Sequence, residues 1–443
     1  MKVDVGELID SGKWSTRQKL LVAGTALAII LDGVDNQLLG NAIPALMSDW
    51  SLPRGAFKTV LAMSPLGMMI GGAIGGFLGD RIGRRNALLA SVSSFAIMTA
   101  AICTATGLNE LGWLRFLAGL GLGGAMPSAA ALASEFVPLR RRPFAVTLTI
   151  VCVPLGGMLA AFISARVIPA YGWRTLFLAG GAITMLLAVF LFLILPESPR
   201  YLAMRPKRWP QLVNLLQKLG HPVPADSTFG EAGGAGIETS RGKIGDLFVP
   251  GLRRDTIGLF GSFFFCLLVN YIGFLLLVPA LSGVGFTQPA ASNVLGWWNY
   301  GGVGGALAGA WLIHRFGSRF SMLQLSMLAI VSAFAMALMR IAPDQSLKLI
   351  LMSIVLGGSL NAVQTMMYAL AAHVYPTRIR GTGIGAAVAV GRIGNVLAAF
   401  VGDFALHKGG LPGYFSTFAL GMMVTFIFLL VVCNHIERNL RHG

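Results

Sequence analysis

Charge is what this 443-residue chain has least of. Only 12% of its residues are Asp, Glu, Lys or Arg, and the acids number 18. A water-soluble domain carries about twice that share, so a soluble protein is excluded. Cysteine is scarce too. Cys103, Cys152, Cys266 and Cys433 stand singly in apolar sequence without metal-ligand or redox spacing, which leaves them the role of small core residues. There is no Walker loop, nucleophile elbow or metal-ligand cluster, and no soluble domain to hold one. An enzyme and an ATP-driven pump are thereby excluded, and no cofactor is expected. Met1–Gln18 lacks an apolar core followed by a small-residue cleavage site, so no cleaved signal is expected.

What is abundant is apolar sequence: 55% of residues are hydrophobic, with a mean hydropathy of +0.73, as in an integral membrane protein. Runs long enough to cross a bilayer as a helix of about 20 residues fall at 19–41, 57–79, 87–106, 112–135, 144–168, 174–195, 255–283, 290–313, 321–340, 346–372, 380–405 and 412–434. The net charge of +16 raises the question of a nucleic-acid partner, but its distribution follows the membrane instead. Most of the 34 Lys and Arg lie in the two tails and in alternate loops, including Arg81, Arg84 and Arg85, Arg140 to Arg142, and the central loop. The opposite loops hold few, among them Arg54, Lys58, Lys348 and Lys408. The positive-inside rule therefore places both termini in the cytoplasm, and no nucleic-acid partner is expected.

The chain is punctuated once, by residues 196–254, which hold a short amphipathic piece at Trp209–Leu219 and a flexible GEAGGAG at Gly230–Gly236. This predicts three parts: a six-helix half at 1–195, a cytoplasmic loop at 196–254 and a second six-helix half at 255–443. The halves can be compared. GGFLGDRIGRR (Gly75–Arg85) recurs 234 residues on as GAWLIHRFGSR (Gly309–Arg319), and VPLRRRP (Val137–Pro143) recurs 238 residues on as YPTRIRG (Tyr375–Gly381). Nearly equal offsets are what a duplicated six-helix unit leaves behind.

GGFLGDRIGRR resembles the loop signature of the major facilitator superfamily, carried here by Gly76, Asp80, Arg81, Gly83, Arg84 and Arg85. Gly76 is expected to let two helices approach closely, and Asp80 to cap a helix end and pair with a neighbouring base as part of a conformational latch. The alternative is that the basic cluster only sets topology. The second copy has His314 for the acid and Ser318 for a base. Further stretches narrow the likeness: RFLAGLGLGGAMPSAAALASEF (Arg115–Phe136), LPESPR (Leu195–Arg200) and YPTRIRGTGIGAAVAVGRIG (Tyr375–Gly394). With DGVDNQ (Asp32–Gln37) they resemble the aromatic acid:H+ symporter family of bacterial inner membranes. The resemblance implies an all-α integral membrane protein with twelve transmembrane helices in two pseudo-repeats, working as a monomer. The glycines at Gly119, Gly121 and Gly123 are not a dinucleotide fingerprint, because they lie within a membrane helix; close helix contacts explain them.

Asp32 and Asp35 are three apart, so they share a face of the first span near its midplane. A carboxylate there costs about 2.5–3.5 kcal/mol on insertion scales, so it faces a cavity or a partner and marks a transport path; helix-to-helix hydrogen bonding is the structural alternative. The clearly intramembrane cations are Arg115 and Arg392, while Glu135, Arg166, Arg174, His373 and Asp403 lie nearer span ends. A carboxylate that responds to solvation and to an arginine can carry a proton. The family resemblance makes Asp35 the first choice, paired with Arg115, and Asp32 the second.

Arg392 can meet a substrate carboxylate through two hydrogen bonds, or serve as a lock between helices. An aromatic ring needs stacking faces and polar partners. Candidates are Asn270, Tyr271, Trp298, Asn299, Gln364 and Tyr368, with Trp297 and Tyr300 beside them. Near an interface a tryptophan can equally be an anchor. His373 reads as structural, with a gating or proton role behind it. Moving one negative charge inward against an inside-negative potential costs about 2.3 kcal/mol per 100 mV, and one accompanying proton cancels that cost. The expected function is proton-gradient-driven import of an aromatic carboxylate of benzoate, hydroxybenzoate, phenylpropanoid or lignin-derived type. The alternatives are a proton-coupled exporter, a sugar or other organic-acid porter, and a membrane sensor that binds without transport.

Overall fold

The computed structural model describes residues 2–10, 14–138, 142–221, 223–224, 227–229, 244–376 and 379–437. Arg140 and Arg141, the GEAGGAG stretch, and Thr377 and Arg378 of the second repeat loop lie outside the described residues. Among the described residues the chain is helical apart from a two-residue parallel pairing of β1 (Lys2–Val3) with β2 (Thr228–Phe229). A short α1 (Val5–Asp10) precedes α2 (Thr16–Trp50), α3 (Lys58–Ile82), α4 (Arg84–Ala101), α5 (Leu108–Glu135) and α6 (Arg142–Ile194). The central loop forms α7 (Pro199–Ala203) and α8 (Trp209–Leu219). Then come α9 (Arg253–Ser282), α10 (Gln288–Phe316), α11 (Ser318–Leu338), α12 (Ser346–Val374) and α13 (Arg380–Val431).

Local chemistry sets the ends of these helices. Ser15 opens α2 with a capping box: its hydroxyl accepts from the Gln18 N–H, and the Gln18 side chain accepts from the Ser15 N–H at 2.7 Å. In α8 the buried residues Leu212, Leu215, Leu216 and Leu219 form one apolar face, and Gly220 ends the helix in the left-handed region. Nine of the described helical stretches are long and apolar enough to cross a membrane. Helices α6 and α13 each bend at a non-helical glycine, Gly172 and Gly410, where the sequence breaks its apolar runs. Split there, and with α10 added, the described helices supply a segment for each of the twelve runs.

Positive φ angles repeat the duplication. Gly83 (φ 103°) turns the chain between α3 and α4, and Gly317 (φ 79°) does so between α10 and α11. Gly172 (φ 81°) and Gly410 (φ 56°) make the two bends. These pairs stand 234 and 238 residues apart, the offsets found in the sequence. A side chain at a positive φ is strained, so the duplicated unit has kept its two glycine turns.

Close packing within each half also rests on glycine. Gly67, Gly71 and Gly75 of α3, spaced by four, lie against the backbone of α5 at Phe116, Leu120 and Gly124. From α5, Gly119 and Gly123 return the contact onto Ser64 and Met68, while Gly121 faces Ser91 and Phe95 of α4. In the second half Gly301 and Gly305 of α10 meet Ile354 and Gly358 of α12. Gly76 does not take the expected part: a Cβ there would meet nothing within 4 Å, because one residue beyond Gly75 turns it about 100° off the seam. Gly71→Ala should therefore cost about 1–3 kcal/mol by overpacking, and Gly76→Ala should stay within about 0.5 kcal/mol. Thermal unfolding in detergent measures both. Equal losses would refute this assignment of the packing face.

Between the halves, α3 packs on α13, α10 on α6, and α2 on α9. The first two contacts exchange under the repeat, giving the interface an approximate twofold. The face where α2 begins and α13 ends is here the terminal face; α2 ends and α3 begins at the opposite face.

Candidate functional site

Asp35 and Arg115 are both buried, on α2 and α5, and pair at 3.2 Å. The other carboxylate oxygen of Asp35 accepts from the Thr99 hydroxyl of α4. A second Arg115 nitrogen donates to the Asp35 carbonyl at 3.3 Å and to Ser64 Oγ at 3.4 Å. Thus Asp35 is held from two helices of its own half. Asp32, one turn earlier, is also buried, and its Oδ1 has no hydrogen-bond partner among the described residues. Arg392 is near enough to Asp32, Tyr271 and Tyr368 to act on each electrostatically.

The residues after Asp35 reach the other half. Asn36 donates to the Tyr271 hydroxyl of α9 at 3.0 Å. Gln37 and Asn299 of α10 bond reciprocally, amide to amide, at 3.0 and 2.9 Å. Tyr271 and Asn299 are among the residues expected at the site; Asn36 and Gln37, although part of DGVDNQ, are not, and neither are Thr99, Ser64 and Met68.

In the second half, Asn270 bonds Gln364 of α12, and the Asn270 side-chain oxygen has no partner among the described residues. Tyr368 meets Phe263 edge-on at 5.2 Å between centroids. Arg392 of α13 is half-buried and donates to the Met68 carbonyl of α3. Among the described residues no carboxylate forms an ion pair with it. Arg392, Tyr271 and Tyr368 thus come together, with Asn270 and Gln364 on the same helices as the tyrosines. Trp298 is elsewhere in the packing: it is fully buried among Gly273, Gly357 and Phe418, and its indole N–H lacks a partner among the described residues. Trp297 turns the other way, edge-on to Phe162 and Tyr300. His314 and His373 are exposed.

The sequence profile of the Major Facilitator Superfamily matches residues 25–399. The chain belongs to that superfamily. A gallate transporter of Pseudomonas putida is 32% identical over 94% of this chain and 92% of its own length. A 4-hydroxybenzoate transporter of Pseudomonas aeruginosa is 32% identical over 92% and 90%, and a benzoate transport protein of Acinetobacter baylyi 28% over 95% and 90%. With these relatives the chain stands in the aromatic acid:H+ symporter family. A crystal structure of a D-xylose-proton symporter superposes with a TM-score of 0.72 over 93% of this chain and 97% of that one, at 15% identity, a likeness of fold. The protein is a multi-pass membrane transporter of a small molecule and not an enzyme.

The facilitator signature loop lies on the terminal face. Asp80 pairs with Arg84, four residues on, at 2.7 Å. The Arg81 carbonyl accepts from the Tyr201 hydroxyl at 3.2 Å and from Arg205 at 2.7 Å. The Arg85 N–H donates to Glu197 at 3.0 Å, and the Arg85 guanidinium to the carbonyls of Leu195 and Phe192. Ser198 donates to Glu135 of α5. LPESPR therefore clamps the signature loop, a connection that two separate motifs in the sequence do not reveal. Other bonds join the halves at the opposite face: Arg54 of the α2–α3 connection lies 3.7 Å from Asp403 of α13, and Gln288 donates to the Asn41 carbonyl at 3.3 Å.

Proposed function

We propose that the chain imports an aromatic carboxylate together with protons across the bacterial inner membrane, as a monomer with both termini in the cytoplasm. The proton gradient supplies the energy and no cofactor takes part. The carrying observation is the contrast between two buried-side cations. Arg115 is ion-paired with Asp35, whereas Arg392 forms no ion pair with a carboxylate among the described residues and stands with Tyr271 and Tyr368. A guanidinium held in no direct ion pair suits an anionic ligand, and the two tyrosine rings suit an aromatic one. The relatives named for gallate, 4-hydroxybenzoate and benzoate support the same class of cargo.

In this reading Asp35 carries the proton. Protonation removes its charge, weakens its hold on Arg115, and frees α2 to move with the second half through Asn36 and Gln37. Asp32 is the second acid on the path, facing Arg392. Asn270, Gln364 and Asn299 line the ligand's polar edge, and Asp80 to Arg85 form the latch on the cytoplasmic side. The bonds at the opposite face close the periplasmic side, as in an inward-facing state. Asp403→Asn loosens that closure, so a cysteine placed nearby should label several-fold faster with a membrane-impermeant maleimide. An unchanged rate would mean that the Arg54–Asp403 contact does not hold the gate.

Purified protein in proteoliposomes under an imposed proton gradient, acid outside, is offered labelled 4-hydroxybenzoate, gallate or benzoate. Accumulation that collapses on adding a protonophore is the expected result. Accumulation only under the reverse gradient would identify an exporter, and binding without transport would identify a sensor.

A further inference from the structure

On the terminal face a groove of about 600 Å³ lies between the start of α2, the start of α4, the end of α6 and the outer side of α8. Arg17, Arg85, Arg208 and Lys218 line it, with Glu197 as its one carboxylate. Glu197 offsets one of the four positive charges, and the side-chain bonds of the bases go to neutral acceptors. Arg17 donates to the Lys218 carbonyl at 3.3 Å, Arg208 to the Gln211 side-chain oxygen at 3.0 Å, and Arg85 to two backbone carbonyls. All these acceptors are neutral. Glu197 spends its Oε1 on the N–H groups of Arg85 and Ser198.

The rest of the wall is apolar and faces outward. Leu20, Phe192 and Leu193 line the groove and are 52%, 60% and 75% exposed. They belong to the ends of two helices long and apolar enough to cross a membrane, where an exposed apolar side chain suits lipid tails. A free inorganic anion makes no use of such a wall. An amphiphile with an anionic head and acyl chains uses both parts.

We propose that this groove is a binding site for an anionic phospholipid of the leaflet on the terminal side. Its phosphate lies among Arg17, Arg208 and Lys218, and its chains lie against Leu20, Phe192 and Leu193. The site joins α8, the amphipathic helix of the central loop, to the membrane helices. Each Lys or Arg near an anionic headgroup contributes about fivefold to its retention.

The test uses the full chain purified in detergent and incubated with dioleoylphosphatidylglycerol or dioleoylphosphatidylcholine, with retained lipid counted by native mass spectrometry. Phosphatidylglycerol should be retained over phosphatidylcholine. The double variant Arg17→Gln with Lys218→Gln, both on exposed positions, should lower that retention by about 25-fold. Equal retention of the two lipids, or undiminished retention by the double variant, would overturn the proposal. If inorganic phosphate alone raised the unfolding temperature as far as phosphatidylglycerol does, the occupant would be a free anion and the lipid assignment would fail.

Discussion

In proteoliposomes, Asp35→Asn should abolish gradient-driven accumulation of the aromatic acid while leaving counterflow exchange in place. With one proton per monovalent anion, each unit of pH difference supports about a tenfold concentration ratio, and in the variant that ratio should fall to one. The amide preserves shape and can still accept from Thr99, but it cannot take up a proton. Arg115, also fully buried, then lacks its counter-charge. Breaking a buried pair by removing one partner costs about 3–5 kcal/mol, so persistence of counterflow is the control for folding. Should Asp35→Asn concentrate substrate as well as the parent does, the carrier is another group, and Asp32 and His373 are next to be tested.

The second large effect is expected at Arg392. Hydrogen bonds to charged groups contribute about 1.5–3 kcal/mol each, so Arg392→Ala should weaken binding of 4-hydroxybenzoate by about 30-fold or more. Arg392→Lys should weaken it less, since lysine keeps the charge but loses the planar fork. A double comparison isolates the contact. Replacing the ligand's carboxylate by a neutral amide should cost the parent protein most of its affinity and cost Arg392→Ala little. Equal losses in both proteins would mean that the carboxylate is read elsewhere, with Arg115 the next candidate, and that Arg392 chiefly locks α13 to the Met68 carbonyl of α3.

The architecture was legible because long apolar runs and glycine turns leave strong marks: the breaks in those runs fall at Gly172 and Gly410, where α6 and α13 bend. The amphipathic piece expected around Trp209–Leu219 is α8. Isolated charges in apolar sequence have few possible partners, which left Arg115 and Arg392; it was the family resemblance that paired Arg115 with Asp35, and the two lie 3.2 Å apart. Thr99 was not legible, since one threonine in a membrane helix looks the same whether its hydroxyl bonds its own backbone or a distant carboxylate. The Met68 carbonyl was invisible for a stronger reason, because every residue has one. Gly76 shows a different limit. Several neighbouring glycines share one stretch, and only helical phase separates those in the seam from the one beside it.

The reciprocal amide pair between Gln37 and Asn299 has a consequence for fidelity. On the proposed reading, the acid that takes the proton and the amide that grips the other half are two residues apart on one rigid helix, so neither event proceeds far without the other. Loosening that grip need not impair the acid; it lets the proton cross without cargo. Gln37→Ala is thus the place to find a leak, a carrier that still binds its ligand yet drains the gradient it should exploit.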